Sequence, residues 1–168
     1  GSEQSAWFYM PFTLIVAFDL LFYNVTTSMT VEGAHDEHRA PELARTVVRR
    51  FLSIQIPAAL AVIVAAPVLL YPFGADYVDH GTGALRVLAC ASIPRAVVNL
   101  FVALARLRGR GWFIVGGQAT LFLLVTVLAL ALARPLGLPG VALAWLVGNT
   151  VVAASAMPWL VRLLREGR

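Results

Sequence analysis

No lysine occurs anywhere in the 168 residues, and all 13 basic side chains are arginines. Charge of either sign is scarce: Asp and Glu number 9, and charged residues make up 13% of the chain. A soluble helical protein sets a charged face opposite the apolar stripe of each helix, and this chain has too few charges to do so. One cysteine, Cys90, excludes an intrachain disulfide. Lying inside an apolar run, its thiol serves as small packing material. Catalytic patterns are missing as well. There is no nucleophile–base pair, no phosphate-cradling glycine loop ahead of a helix and no carboxylate cluster for a divalent metal, so neither an enzyme nor a cofactor is expected. His35, Asp36, Glu37 and His38 form the one cluster with metal-ligand chemistry, but no further cysteine or histidine adjoins it and metal binding is not expected.

What the chain has instead is hydrophobicity. Apolar residues are 60% of the sequence and the mean hydropathy is +0.80, against roughly 45–50% apolar in soluble domains. They fall into five blocks, 6–29, 51–73, 84–107, 112–133 and 139–164, each matching the ~20 residues that a membrane-spanning helix requires. The expected fold class is therefore all-α, a polytopic bundle of five transmembrane helices, with an amphipathic linker over 32–50. In that linker Pro41 suits a first helical turn, and Glu42 with Arg45 and Arg49 gives same-face pairs.

Arginine placement sets the expected orientation. Arg39, Arg45, Arg49 and Arg50 lie between blocks one and two, Arg106, Arg108 and Arg110 between three and four, and Arg162, Arg165 and Arg168 in or after block five. The alternate connections hold only Arg134. This is the positive-inside bias. It predicts a multi-pass protein of the cell inner (cytoplasmic) membrane with a cytoplasmic C-terminus, and it assigns the net charge of +4 to topology and anionic lipid rather than to nucleic acid. The opening GSEQSA has no basic n-region of a signal peptide. Five helices with an external start are expected to be the tail of a longer membrane protein, although a Gly-Ser cloning remnant would read the same way.

Two charges stand near the middle of their apolar blocks. Arg95, directly after Pro94, lies close to the midpoint of Ala84–Leu107. A charge there costs at least ~3 kcal/mol on insertion scales, so it faces protein or a wet cavity. Asp19 lies about halfway along the first block and shares a helical face with Tyr23, Thr26 and Thr30. The depths allow Asp19 and Arg95 to meet, either as an internally satisfied ion pair or as a coupling carboxylate beside a cationic substrate contact. Ser92, Asn99 and Arg106 share the Arg95 face, whereas Arg86 points the opposite way and can snorkel towards the headgroups. Pro57 and Pro67 imply kinks in block two. Gly140, Ala144 and Gly148, spaced by four, predict close helix packing.

The order of these features resembles one family. VTTSMTVEG ends the first block, an arginine-bearing connection follows, a proline-containing helix ends in YPFGADY, and then come GALRVLACASIPRAVVNLFVALARLRGRG and LGLPGVALAWLVGN. Phe73, Gly74, Tyr77, Leu85, Arg86, Arg108, Gly109, Arg110, Gly137, Gly140, Val141, Ala142, Leu143 and Ala144 stand where the polysaccharide-export flippases of the multidrug/oligosaccharidyl-lipid/polysaccharide exporter superfamily carry similar patterns. The resemblance implies two pseudo-symmetric bundles of about six helices, this chain matching the last five of the second. It implies movement of lipid-linked oligosaccharide by alternating access, with cavity arginines meeting the pyrophosphate. The implied partners are the bilayer, the lipid-linked saccharide and the remaining N-terminal helices. The implied substrate contacts are Arg95, Asn99 and, peripherally, Arg86, with Asp19 coupling an ion. A cation-coupled multidrug antiporter of the same superfamily and a non-transporting membrane scaffold are the competing expectations.

Overall fold

The structure, a computed structural model, describes the backbone of residues 2–33, 40–107 and 111–166. Five helices account for them: α1 (Ser2–Gly33), α2 (Ala40–Leu70), α3 (Ala75–Leu107), α4 (Gly111–Leu136) and α5 (Leu138–Glu166). No strand occurs among the described residues. The all-helical class is as the composition requires. The cluster His35, Asp36, Glu37 and His38 lies outside the described residues, and no other grouping of metal-ligating side chains is found among those described.

Two boundaries differ from the hydropathy blocks. Residues from Ala40 to Arg50, expected as a separate amphipathic linker, are the first turns of α2 and run unbroken into its apolar part. The polar segment between Gly74 and Gly83, expected as an external loop, is the start of α3. The reason is local. The 3-10 turn Tyr71–Phe73 closes through the Gly74 amide, which donates to the Tyr71 carbonyl at 3.1 Å, and Gly74 then takes φ +114°, a value side chains disfavour. One glycine thus completes the reversal, and Asp76 at the first turn of α3 suits the positive end of a helix. Gly137, at φ +62°, similarly separates α4 from α5 in a single residue, its amide donating to the Ala133 carbonyl at 3.0 Å.

Four stretches are long and apolar enough to cross a membrane: Leu52–Phe73, Ala75–Ala103, Gly111–Leu136 and Pro139–Arg162. In α1 the apolar run among the described residues is Trp7–Leu21. Among the described residues, four helices are thus long and apolar enough to make this a multi-pass membrane protein.

Helix α3 is the axis. It packs on α1, α2 and α5, whereas α4 lies against α5 and barely touches α3. Buried positions on α3 and α5 are rich in alanine, including Ala84, Ala89, Ala91, Ala96, Ala105, Ala142, Ala144, Ala153 and Ala156. Where lipid is as apolar as the side chains, such small residues let helices approach closely. The N-terminal half of α3 packs with α1 and α2 around Leu85, Ala66 and Leu70. Helix α5 joins lower down, where Ala142 sits with Leu88, Ala89 and Ile15. No residue of α4 is buried.

The α4–α5 contact uses the expected small-residue stripe. A Cβ on Gly140 would collide with the Leu132 carbonyl oxygen of α4, and one on Gly148 would meet Val125 Cγ2 at 2.5 Å. Ala144 between them is fully buried.

Candidate functional site: a guanidinium between a carboxylate and an indole

Helix α3 presents Arg95 inside its apolar span, after a proline that removes one rung of the helical ladder. Pro94 has no N–H to give the Cys90 carbonyl. Along a helix rising about 1.5 Å per residue, Arg95 lies about 30 Å from Ala75 and about 12 Å from Ala103, the two ends of the span. Because α3 begins at Ala75, Arg95 is displaced from the midpoint expected from the 84–107 block towards the end that carries Arg106.

Arg95 meets Asp19. Its Nη1 lies 3.1 Å from Asp19 Oδ2, and the two side chains are 26% and 8% exposed. The contact is a charge pairing without an aligned hydrogen bond, since Nη1 is buried and has no hydrogen-bond partner. On its other side the guanidinium carbon sits 5.1 Å from the centroid of the Trp145 ring, within cation–π range. Helices α1, α3 and α5 each contribute one member of this group. Phe12 braces the indole edge-on, with centroids 6.0 Å apart.

Further polar atoms surround the same turn of α3. Gln55 of α2 donates from Nε2 to Ser92 Oγ at 3.3 Å, and Ser92 in turn donates to the Ala89 carbonyl at 2.7 Å. Asn149 of α5 donates from Nδ2 to the carbonyl of Trp145 at 2.8 Å. Both amides are fully buried, and both leave an acceptor, Gln55 Oε1 and Asn149 Oδ1, without a partner. Buried polar atoms are nearly always satisfied, so α2, α3 and α5 each hold unused hydrogen-bonding capacity, at Gln55, Arg95 and Asn149.

The expected site residues separate into two groups. Arg95 and Asp19 are brought together. Asn99, one turn beyond Arg95, is half-buried and makes no side-chain hydrogen bond among the described residues. Arg86 stands apart: nine positions earlier it is on the opposite face and about 14 Å away along the helix. Its Nε donates to the Ile63 carbonyl at 3.2 Å. That carbonyl is the one Pro67 leaves open, because its partner four residues on has no N–H. Arg86 therefore mends a proline break in α2. Of the face shared with Asp19, Tyr23 accepts from Arg106 Nη1 at 3.3 Å. The side chains of Thr26 and Thr30 lie outside the described residues.

Gln55 and Trp145 are the members that sequence reasoning missed. Gln55 carried a signal, being the only amide in a long apolar block. Trp145 carried a weaker one: it lies inside its span, where an interfacial role does not account for it. Comparison of the chain with protein-family models, with curated proteins and with solved structures gives no match.

Proposed function

We propose that this chain is part of a membrane carrier in which Arg95 contacts an anionic group of an amphiphilic substrate, in the manner of a lipid-linked oligosaccharide flippase. The observation that carries this reading is the state of the Arg95 guanidinium. It is held within an apolar span by one carboxylate and one ring face, with 26% of the side chain accessible and a buried Nη1 lacking a hydrogen bond. An intramembrane charge is costly and is functional by default. A guanidinium fork matches phosphate oxygens well. A substrate pyrophosphate reaching Arg95 would compete with Asp19 for it. Substrate binding would release the carboxylate, which then takes a proton or cation, and substrate departure would restore the pair. The order of motifs resembling polysaccharide-export flippases supports the choice of a lipid-linked saccharide, moved by alternating access across the cytoplasmic membrane. Arg86 takes no part in this reading, its Nε being committed to the α2 backbone.

A second reading, a scaffold whose intramembrane charges satisfy each other, is favoured by the 3.1 Å approach of Arg95 to the buried Asp19. Thiol chemistry separates the two. Cys90, expected to be small packing material, is instead exposed and must first be replaced by alanine. Single cysteines are then placed at Arg95 and at Asn99, and labelled in membranes with an impermeant maleimide. Under the carrier reading both positions label, and a polyprenyl pyrophosphate protects the cysteine at position 99, where Arg95 is intact, but not the one that replaces Arg95. An inserted, folded protein that labels at neither position from either side would eliminate the carrier reading and leave the scaffold.

A further inference from the structure

At the end of the bundle remote from Gly74 and Gly137, an open groove of ≈ 410 Å³ runs between α3, α4 and α5. Aromatic rings form its walls: Phe101, Trp112, Phe113 and Trp159. Gly116 and Gly117 form its α4 side, where the missing side chains leave room. Its one hydroxyl, Ser155, already donates to the Val152 carbonyl at 2.7 Å. The rigid wall is the Phe101–Trp159 pair, edge to face with centroids 5.1 Å apart. Apart from the two indole N–H groups and the Ser155 oxygen, its side-chain lining is carbon, and it fits a hydrocarbon chain. Two of its walls are tryptophans, the side chain that concentrates at membrane interfaces.

Charge fixes the class of occupant. Arg162 lies one turn beyond Trp159 on the α5 face that bears Val152, Ser155 and Trp159, and it ends the apolar span Pro139–Arg162. It is exposed and has no ion-pair partner among the described residues. We propose that this groove binds an anionic phospholipid, one acyl chain lying against Gly116 and Gly117 between the aromatic rings and the headgroup phosphate pairing with Arg162. The site is separate from Arg95 and does not depend on the carrier reading. It makes the α4–α5 end a place where the charge of the surrounding lipid is sensed.

The groove carries its own probes, because Trp112 and Trp159 line it. The protein is reconstituted in vesicles containing phosphatidylglycerol or phosphatidylcholine brominated on the acyl chains, and tryptophan quenching is measured at equal bromine content. The expected result is a preference for phosphatidylglycerol of about fivefold in relative binding, the size of one arginine near an anionic surface. Arg162→Gln should abolish the preference and Arg162→Lys should retain most of it. Gly116→Leu is the second control. A Cβ at Gly116 meets nothing within 4 Å, so the side chain fills the groove without disturbing the helix packing, and the preference should again be lost. Equal quenching by the two lipids in the unaltered protein would overturn the proposal and leave the groove to neutral lipid or to another protein segment. A preference that survives Gly116→Leu would also overturn it, because the headgroup would then be held without a chain in the groove.

Discussion

At the scale of the residue, two arginines stand inside the apolar span of α3, and they do different things. Arg95 is paired with a buried carboxylate, so removing either partner strands the other charge. Arg95→Ala or Asp19→Ala alone should each lower stability by ~3–5 kcal/mol, while the double replacement should cost clearly less than either sum. Thermal unfolding in detergent of the four proteins of this cycle gives the coupling directly, and additive losses would mean that the 3.1 Å contact carries no net energy. Arg86 is coupled to a proline rather than to a carboxylate. Its replacement by alanine leaves the Ile63 carbonyl without a donor, at a cost of ~1–3 kcal/mol. In a Pro67→Ala background, position 67 regains its N–H and the carbonyl its helical partner. There Arg86→Ala should be close to neutral. If the two backgrounds lose equally, Arg86 acts through something other than the proline break.

At the scale of the element, glycine decides where helices turn and how near they come. The α4–α5 hairpin turns on Gly137 and is closed along Gly140, Ala144 and Gly148. At Gly140 an added methyl group meets backbone, which does not move aside, whereas at Gly148 it meets a valine side chain. Gly140→Ala should therefore destabilise more than Gly148→Ala, each within the ~1–3 kcal/mol of an overpacked core. Gly116→Ala, in open space on the same helix pair, should be neutral or stabilising by up to ~1 kcal/mol through helix propensity. Melting temperatures of the three variants rank the positions; a reversed order would mean that α4 does not seat on α5 as described. These same elements show what was legible in the sequence. Apolar block length and proline content were enough for the five helices and their all-α class. The small-residue stripe was readable because spacing by four repeats one helical face. The extent of α3 was not, because Asp76, Asp79 and His80 lower the hydropathy of its first turns without preventing helix. His80 there stacks on Trp7 at 4.3 Å, a contact no local pattern announces. The meeting of Asp19 with Arg95 was readable as an allowed depth match, but the indole of Trp145 and the amide of Gln55 were not, since they depend on how α2 and α5 stagger along α3.

At the scale of the whole molecule, the distribution of charge and of exposed apolar surface agree on one arrangement. Helix α4 has no buried residue, and Phe122, Leu123, Val127 and Leu130 are exposed along it, a surface that water would not tolerate but lipid or further helices would. Helices α1, α3 and α5 run one way and α2 and α4 the other. Trp7 and Asp19 meet His80 and Arg95 in the same order, as Trp145 and Trp159 meet Arg95 and Phe101. Gln55 and Ile63 meet Ser92 and Arg86 in reverse, as Gly140 and Gly148 meet Leu132 and Val125. Arg49, Arg106 and Arg162, all exposed, therefore stand at one end of the bundle, and Arg134 stands at the other. The positive-inside bias predicts that the first end is cytoplasmic. Two cysteines test it in a Cys90→Ala background: one at Asp79, exposed near the start of α3, and one at Trp112, exposed at the start of α4. In intact cells an impermeant maleimide should label the cysteine at position 79. The cysteine at position 112 should label only after the membrane is permeabilised. The opposite pattern would invert the bundle and place Arg162 and its groove against the outer leaflet, where the anionic lipid of the cytoplasmic surface could not be the occupant. Labelling of both in intact cells would mean that these helices do not separate two compartments, and the transmembrane reading of the spans Ala75–Ala103 and Gly111–Leu136 would fall with it.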